Sequence, residues 1–510
     1  MIYDTIIIGG GVVGLSILRS ALLSGYSAIL LERNPHLCDG ASGRNSGVIC
    51  TGVDASPGSL ERALIRDSIS QVREFCTLHN VPLRECGSLV CLWPWDDDDI
   101  SEEDNEEKKV EDGLVSTYND ITKHEKLRNV LRDSHIAGDK DASFLDAESV
   151  SMLEPSLSKL CRGAVYIPGE IVVDPWLFPL ALATHSRELA GISGINYEAG
   201  DVIRTGREVS MELSSFDEQN GVWTLVARVT SDGNVEDEHI VVTARSIINA
   251  AGIDSDIMQH QASNVIGKLD NKNIDLKPPN FEARPRRGQY LIYSAPKGVH
   301  GVGTEDSKPD HFNVPQKIPA RPIQPVPTER TKGIFVYSTL YDQIVVGPTA
   351  EDQLSRTDNS LDPDVAKELS AHSSRIFGRI MGSSKNMGDP DFDVIGEYVG
   401  IRPGTSRRDY QIQMNYPAKF ITVGGIRSTG LTASLGIGRH VVQSLLSTLI
   451  QKSDGKPIHI MCPTPLPDVR KLVQDYHDRG DGMISIRGHD YKVTHPLTKM
   501  GWDARTGIAV

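Results

Sequence analysis

The chain has 510 residues, a hydrophobic content of 39% and a charged content of 24%, which are ordinary values for a globular enzyme with two or three folded units. Its formal net charge of −15 disfavours nucleic acid as a partner, and no apolar run reaches the roughly 18 residues that a membrane span requires. Seven scattered cysteines without a C-x-x-C pair predict free thiols and no metal site. Because no leader segment is recognisable, we expect a cytoplasmic protein.

The first 32 residues predict a strand, a glycine-rich turn, a helix and a second strand. Residues 5–8 are a β-branched run typical of a buried parallel strand, and apolar residues at helical spacing follow over 12–24. The turn between them fits the pattern G-x-G-x-x-G with Gly9, Gly11 and Gly14. In a dinucleotide-binding unit the first glycine permits the tight turn, the second lets a pyrophosphate approach, and the third lets the helix pack on the strand.

The predicted second strand, residues 28–31, is followed by Glu32 and Arg33. The Glu32 carboxylate can accept both hydroxyls of a ribose and would repel a 2′-phosphate, which disfavours NADP. We include Arg33 beside it among the candidate cofactor-binding residues. FAD and NAD both satisfy this motif, so the choice between them depends on the rest of the chain.

The remainder of the chain predicts an α/β protein of mixed helices and strands. An acidic stretch over 96–107 has nine carboxylates in twelve positions and predicts a solvated loop. The other predicted elements are a helix over 177–190, strands over 223–229 and 239–248, proline-rich loops and edge strands over 278–333, a strand pair over 334–337 and 344–346, a strand over 420–423 and a helix over 432–450.

Three further segments favour FAD over NAD. The first places small, hydroxyl and basic residues directly after the second strand, where they can line a pyrophosphate and reach toward a flavin ring. The second ends a strand in small residues, where a cofactor can lie against the backbone. The third is a second glycine turn before a helix, whose N-terminus can stabilise the negative charge on the N1–O2 edge of a reduced flavin, and NAD needs no such second site. The candidate cofactor-binding residues in these segments are Ser42, Arg44, Asn45, Ser46, Gly47, Ala251, Gly252, Gly425, Ser428, Thr429, Gly430, Leu431 and Thr432.

Five segments of the chain carry a family resemblance. They are ASGRNSGVICTGVDASPGSL (41–60), GEIVVDPWLFPLALA (169–183), PVPTERTKGIFVYSTLYDQIVVGPTAED (325–352), VGIRPGTSRRDYQI (399–412) and VGGIRSTGLTASLGIG (423–438). On these segments the chain resembles the glycine oxidase/D-amino-acid oxidase (DAO) superfamily of FAD-dependent oxidoreductases. Within it, the chain is similar to the branch that holds anaerobic glycerol-3-phosphate dehydrogenases and L-2-hydroxyglutarate dehydrogenases.

The resemblance implies a Rossmann-type FAD-binding domain assembled from separated segments and a substrate domain with a mixed β-sheet. It also implies an enzyme that takes a hydride onto the flavin from a C–H group bearing a hydroxyl or an amine. The predicted division is an FAD-binding domain over 1–95, 160–255 and 385–452, an acidic loop and insertion over 96–159, a substrate domain over 256–384 and a C-terminal extension over 453–510.

Arg402 and Arg427 are the candidate catalytic residues. In the relatives the arginine of a G-[IL]-R-P segment often grips an anionic group of the substrate, and the resemblance transfers this role to Arg402. On chemical grounds alone, an arginine fork matches a carboxylate or a phosphate bidentately. Arg427 lies inside the second glycine turn. Relatives commonly carry a histidine where this chain has Cys50, so we assign no general base.

The expected substrate is a small anion, and glycerol 3-phosphate is the best candidate. L-2-Hydroxyglutarate or another 2-hydroxy acid is the alternative, oxidation of an amino acid or amine is a further one, and a flavin-binding protein without activity is the fourth. A quinone, an electron-transfer protein and oxygen all remain open as the electron acceptor.

Overall fold

The structure is a computed structural model that describes residues 1–96, 121–197, 201–231, 234–271, 273–294, 318–327, 333–379, 381, 392–451, 457–458 and 463–505. Apart from Asp96, the predicted acidic loop lies outside the described residues. The helices are α1 (Val12–Leu23), α2 (Leu60–His79), α3 (Glu125–Ala137), α4 (Ala147–Leu153), α5 (Leu177–Ile192), α6 (Ser255–Gly267), α7 (Pro363–Phe377), α8 (Gly430–His440), α9 (Ser447–Leu449), α10 (Val469–Arg479) and α11 (Pro496–Asp503).

The strands fall into several sheets. They are β1 (Ile2–Tyr3), β2 (Thr5–Ile8), β3 (Ala28–Leu31), β4 (Val48–Ile49), β5 (Leu83–Glu85), β6 (Ser88–Leu92), β7 (Ser143–Asp146), β8 (Gly163–Ile167), β9 (Ile171–Val173), β10 (Ile203–Arg204), β11 (Arg207–Asp217), β12 (Val222–Ser231), β13 (Asn234–Ala244), β14 (Ile247–Asn249), β15 (Ala283–Tyr293), β16 (Ile323–Pro325), β17 (Phe335–Ser338), β18 (Ile344–Gly347), β19 (Glu351–Asp352), β20 (Val394–Thr405), β21 (Gln411–Asn415), β22 (Phe420–Gly424), β23 (Met483–Ile486) and β24 (His489–Lys492).

The first sheet has the strand order β10–β3–β2–β14–β22–β21, and all of its pairs are parallel except β21 with β22. The strands β2 and β3 are completely buried, as expected for a parallel sheet that is covered on both faces. The helix α1 follows β2 and packs against α5 and α8. Because parallel strands end at the same edge of a sheet, the turns after β2, β3, β14 and β22 meet there.

The second sheet is large and mixed, with the order β19–β15–β18–β17–β16–β6–β8–β7. The long strand β20 also pairs with β15, antiparallel along the whole of β15. This register places Arg402 opposite Arg286 and Gly400 opposite Gly288. Arg402, which is predicted to bind the substrate, therefore lies on the large sheet, while Arg427 and the residues predicted to bind the cofactor lie mainly at the edge of the first sheet.

Sheet membership departs from the predicted division of the chain. The strands β6, β8 and β20 fall within the predicted FAD-binding domain, but they belong to the large sheet, and β7 joins them from the predicted insertion. The prediction of a single strand over 239–248 is wrong, because these residues are divided between β13 and β14, which belong to two different sheets. Strands of one sheet come from distant parts of the chain, and local sequence patterns do not report such pairing.

The proline-rich region also differs from its prediction of loops and edge strands. It contains β15, which pairs with β18, β19 and β20 and is therefore an interior strand. Pro285 lies opposite Pro403, and its carbonyl faces the other side of β15, where it accepts the N–H of Gln353 at 3.0 Å, so the missing N–H of Pro285 is not one that would point to β20. At the other end of the chain, the predicted helix over 432–450 begins earlier, at Gly430, and passes through a π-helical segment, Val441–Leu446.

One hydrophobic core joins the first sheet, α1, α5 and α8 to the C-terminal residues. It includes Val473, Tyr491 and Trp502 together with side chains of β2 and β3. The sequence predicts an extension after residue 452, and the described part of that extension packs into the main core. Among the helices that the structure describes, none combines the length and the apolar character needed to cross a membrane.

Candidate active site

The glycine turn after β2 has the geometry that its sequence pattern predicts. Gly9 has φ +112°, a conformation that favours glycine, and its backbone lies against the carbonyl of Ala250 at the end of β14. A Cβ atom on Gly14 would lie 1.9 Å from the carbonyl oxygen of Gly9, so only glycine allows α1 to start this close to β2. A Cβ atom on Gly11 would meet only the Ser42 side chain, at 3.0 Å. The turn is thus tight toward the sheet, and toward the 41–47 loop Gly11 is bounded only by the Ser42 side chain.

Glu32 is held at the end of β3 beside this turn. Its Oε2 accepts a hydrogen bond from the backbone N–H of Gly10 at 2.5 Å, and its Oε1 accepts one from Asn34 at 2.8 Å. Burial raises the pKa of the Glu32 carboxyl above its ordinary value, and the hydrogen bonds from the two backbone N–H groups oppose that rise. The neighbouring Arg33 turns outward, since its guanidinium pairs with Asp254 at 2.8 Å and its side chain is half exposed.

The loop over 41–47 reaches the N-terminus of α1. Ser42 Oγ accepts a hydrogen bond from the backbone N–H of Val12 at 3.0 Å. The loop is closed internally, because Asn45 donates to the carbonyl of Ser42 and accepts the N–H of Gly47, at 2.7 and 2.8 Å. Ser46 Oγ accepts the N–H of Val48 at 3.3 Å. The loop therefore places hydroxyl and amide groups beside the first helix turn.

Arg44 differs from its neighbours in this loop. Its guanidinium donates to the carbonyls of Gly43 and Thr494, at 2.9 and 3.0 Å. The second contact ties the loop to the C-terminal segment, so the described bonds give Arg44 a role in fastening the loop.

The segment after β14 presents small residues at the same edge of the sheet. Ala251 donates its backbone N–H to Asn249 Oδ1 at 3.2 Å. A Cβ atom on Gly252 would meet no described atom within 4 Å, so this backbone borders open space.

The second glycine turn joins β22 to α8. Gly425 begins the turn, Ser428 is exposed, Thr429 precedes the helix, and Gly430, Leu431 and Thr432 form its first residues. Thr432 Oγ1 accepts the backbone N–H of Cys50 at 3.2 Å, which links this turn to the end of β4. Arg427 donates to the carbonyl of Arg408 at 2.5 Å and is partly exposed.

These residues fit FAD on their own geometry. Gly11, which has no side chain, and the first N–H groups of α1 suit a pyrophosphate, and the Glu32 carboxylate at the end of β3 suits a ribose. Open space beside Gly252 and a second helix N-terminus at α8 extend the same edge in the way that a flavin requires. The residues that would hold the cofactor are thus brought together from four separate segments.

Arg402 lies on the large sheet, on β20. One of its terminal nitrogens donates to the carbonyls of Arg287, at 3.2 Å, and Thr349. Its Nε is enclosed, and the described residues offer no partner for it. Burial lowers the pKa of the Arg402 guanidinium, Tyr290 opposes that change, and the positive charges of Arg286 and Arg427 lower it further. Three arginine side chains are therefore close enough to interact.

Two aromatic residues lie beside these arginines. The rings of Tyr290 and Tyr398, on β15 and β20, stack with centroids 4.3 Å apart. The Tyr398 hydroxyl donates to the carbonyl of Asn45 at 3.0 Å. This bond connects the substrate-side strand to the loop over 41–47 of the cofactor side.

The sequence did not point to a buried polar group beneath the second glycine turn. Thr429 Oγ1 donates to Glu61 Oε1 at 2.6 Å and lies 2.6 Å from the Tyr410 hydroxyl. Burial first, and Glu61 next, raise the pKa of the Tyr410 phenol well above its ordinary value. The only signal in the sequence was that Glu61 falls on the buried face of α2. The pattern of side chains alone does not distinguish such a carboxylate from one at the surface.

A surface cleft lies elsewhere, between residues 35–38, α5 and the β23–β24 hairpin. Its Arg187 already pairs with Asp201 at 2.8 Å and donates to the Tyr491 hydroxyl at 2.6 Å. Since that positive charge is satisfied and neither Arg402 nor Arg427 lines the cleft, we do not assign the substrate to it.

Comparisons with known proteins identify the family of this chain. The sequence profile described as FAD dependent oxidoreductase (DAO) matches residues 4–444. A glycerol 3-phosphate dehydrogenase from Caloramator mitchellensis is 25% identical over 456 residues, which are 89% of this chain and 76% of that protein. A mitochondrial L-2-hydroxyglutarate dehydrogenase from Nematostella vectensis is 26% identical over 299 residues, 58% of this chain and 54% of that protein.

Solved structures show the same fold. The L-α-glycerophosphate oxidase from Mycoplasma pneumoniae, determined with FAD bound, has a TM-score of 0.66 at 21% identity and covers 92% of this chain and 99% of its own. Glycine oxidase from Geobacillus kaustophilus has a TM-score of 0.59 at 16% identity. The predicted family, the mixed α/β fold class and FAD as cofactor are confirmed. The chain belongs to the DAO family of FAD-dependent oxidoreductases and is an FAD-dependent enzyme.

Proposed function

We propose that the chain oxidises the carbinol carbon of a small anionic substrate, with glycerol 3-phosphate as the first candidate. FAD, when bound, supplies the acceptor for the hydride of that carbon. The observation that carries the proposal is the unmatched positive charge of Arg402 on β20. Arg402 binds the anion in this scheme, and the glycine turns hold the cofactor.

A guanidinium in this position needs an anion. Arg402 is partly buried, its bonds go to neutral carbonyls, and no described carboxylate forms an ion pair with it. Burying a charge without a partner is costly, and a bidentate carboxylate or phosphate is the group that an arginine fork matches best. A bound substrate would supply that partner and would be oriented by it.

The positive side chains around Arg402 favour a phosphate over a single carboxylate. Arg286 and Arg427 add positive charge near Arg402, while Arg286 is only partly offset by the exposed carboxylate of Asp352 at 3.3 Å. A phosphate monoester carries close to two negative charges at neutral pH and has three oxygens to accept hydrogen bonds. Arg427, which lies in the second glycine turn, adds its positive charge near the substrate anion in this scheme.

The relatives include both candidates. The glycerol 3-phosphate dehydrogenase aligns over 89% of this chain, and the L-2-hydroxyglutarate dehydrogenases of Nematostella vectensis and Arabidopsis thaliana align over 58% and 87%. The order of the candidates therefore rests on the charge around Arg402. L-2-Hydroxyglutarate is the second candidate, because a dicarboxylate also carries two charges and its dehydrogenase matches at a similar identity.

The test is anaerobic bleaching of the flavin by a substrate panel. Glycerol 3-phosphate should bleach it faster than L-2-hydroxyglutarate, and both should be faster than neutral glycerol. Arg402→Ala should weaken the anionic substrates by roughly 2–5 kcal/mol without loss of FAD, because it strands one partner of a buried charge pair. Arg402→Lys should recover only part, since an ammonium cannot form the bidentate fork.

The matched control is Arg407→Ala, which removes the same charge from an exposed position just beyond β20. It should leave the affinity for anions within about twofold of wild type. A loss of FAD from Arg402→Ala equal to its loss of substrate would assign Arg402 to structure. Bleaching by amino acids alone would replace the carbinol substrate with an amine.

A further inference from the structure

Glu61 is a buried carboxylate at the start of α2, directly beneath the second glycine turn. Only 5% of its surface is exposed. Its backbone N–H and that of Leu60 are capped by the carboxylate of Asp409, at 2.9 and 2.8 Å, which fixes the first turn of α2 in place. The Glu61 side chain is thus held inside the protein by its own helix, and it faces α8.

A chain of hydroxyl groups connects Glu61 with the turn. Thr429 has one hydroxyl proton, and it is donated to Glu61 Oε1 at 2.6 Å. The Tyr410 hydroxyl, 2.6 Å from Thr429 Oγ1, must therefore be the donor to Thr429. A charged carboxylate only accepts hydrogen bonds, so with Glu61 as the acceptor both hydroxyl groups point their protons toward it.

The basic side chain next to Glu61 in the sequence does not pair with it. The adjacent Arg62 directs its guanidinium to the carbonyls of Ala55 and Val53, at 2.7 and 2.9 Å. None of the described basic side chains forms an ion pair with Glu61. The negative charge therefore acts on its surroundings in a region of low dielectric.

Besides the start of its own helix α2, the Glu61 carboxylate contacts the N-terminal end of α8 through Thr429. Thr429 is the residue before the helix and uses its side chain on Glu61, so it does not cap the helix. The first N–H groups of a helix and its dipole form a positive end that stabilises an anion. A carboxylate one hydroxyl away opposes that effect.

We propose that Glu61 lowers the reduction potential of the bound flavin, acting through Thr429 on the N-terminus of α8. The inference rests on the proposed position of the flavin at this turn. Reduction adds negative charge at the N1–O2 edge of the ring, and a fixed carboxylate behind the turn makes this less favourable. Glu61 is a positioning residue in this scheme, since it does not touch the cofactor or the substrate.

The experiment replaces the charge and keeps the shape. Glu61→Gln retains an oxygen that can accept the Thr429 proton, so the turn should stay in place and FAD should stay bound. The equilibrium between oxidised and reduced flavin, measured against a reference dye, should shift about tenfold toward the reduced form. For a two-electron couple this is a rise of about 30 mV in midpoint potential.

Asp67→Asn is the matched control. Asp67 lies on the same helix α2 and also pairs with α8, at Arg439 near the other end of that helix. Removing the Asp67 charge should change the equilibrium between oxidised and reduced flavin by less than twofold. An equal shift in Asp67→Asn and Glu61→Gln would overturn the proposal, because the effect would then be one of net charge alone.

Two further variants separate the possible failures. A shift in Glu61→Ala together with none in Glu61→Gln would overturn the inference and leave Glu61 a purely structural role. Gly430→Val tests the position of the flavin, because it adds a side chain at the first residue of α8. Wild-type FAD affinity in a folded Gly430→Val would reject the proposed position itself. If Gly430→Val lowers the affinity for FAD while Glu61→Gln leaves the midpoint potential unchanged, the inference about Glu61 is rejected and the proposed position of the flavin stands.

Discussion

The βαβ unit at the N-terminus and the C-terminal segment over 463–505 support the same loop by different means. In both contacts a side chain of the loop meets a backbone group, since Ser42 Oγ accepts the N–H of Val12 and the Arg44 guanidinium donates to the carbonyl of Thr494. The two regions differ in how that backbone group is positioned. At the N-terminus Gly14 brings α1 against the carbonyl of Gly9, which requires glycine at fixed spacing, whereas at the C-terminus the segment is positioned by side-chain packing in the core, which admits many sequences.

The C-terminal segment completes a buried polar network. Thr498 Oγ1 donates to the buried carboxylate of Asp174 at 3.0 Å, and the Tyr341 hydroxyl donates to it at 2.5 Å. Trp502 is fully buried, and its Nε1 donates to the Tyr341 hydroxyl at 2.9 Å. An Asp174 carboxylate left without these donors would carry a desolvation cost. The segment is therefore part of the core, and its removal would expose a polar interior.

Among the variants that test this comparison, the largest effect is expected at Gly14. Gly14→Val should prevent folding, because its Cβ atom would occupy the position of the Gly9 carbonyl. The measurement is soluble yield together with far-ultraviolet circular dichroism. Gly191→Val, at a helical glycine with no atom within 4 Å, is the control and should fold. A folded Gly14→Val with bound FAD would show that close packing of α1 is dispensable.

Gly11→Val should have the next largest effect, which is loss of FAD from a folded protein. The added side chain meets only Ser42 inside the protein, so it should be tolerated by the fold while it fills the space predicted for the pyrophosphate. The ratio of flavin to protein absorbance measures this. Stoichiometric FAD in a folded Gly11→Val would make the N-terminal assignment wrong.

The C-terminal half of the comparison is tested with Trp502→Ala. Truncating a fully buried tryptophan should lower the free energy of unfolding by about 3–5 kcal/mol. FAD should still bind, because Trp502 supports the fold and lies outside the predicted cofactor residues. Denaturant unfolding measures the loss, and the exposed Tyr416→Ala should change stability by less than about 0.5 kcal/mol. Loss of FAD at unchanged stability would contradict this division of roles.

The smallest expected effect is a pH dependence at the C-terminal segment. Burial, with Arg44 nearby, lowers the pKa of His495 to about 3. The unfolded imidazole takes a proton near pH 6.5 and the folded one does not, so stability is lost as the pH falls below about 6.5, by roughly 1.4 kcal/mol per unit. Between about pH 7 and pH 5.5, His495→Asn should lose roughly 1.4 kcal/mol less than wild type in denaturant unfolding. Equal losses in both proteins would show that His495 is not responsible.

Much of the cofactor side could be predicted because its determinants are local. The glycine spacing, the carboxylate after the second strand and the small residues after β14 and β22 each sit beside the strand that positions them. A parallel sheet then brings the ends of those strands to one edge, whatever the chain does between them. The family resemblance added the substrate side and Arg402, whose role stays a prediction.

The sequence by itself determined the dinucleotide-binding unit, the cofactor and the family, since backbone geometry restricts these positions to few residue types. Only the tertiary structure decided which strands share the large sheet, that Glu61 lies beneath the second glycine turn, and that the C-terminal segment belongs to the core. Glu61 and Thr429 are 368 positions apart, and Thr498 and Asp174 are 324 apart. Such pairs depend on burial and on the path of the whole chain, and many residue types could have served locally at each position.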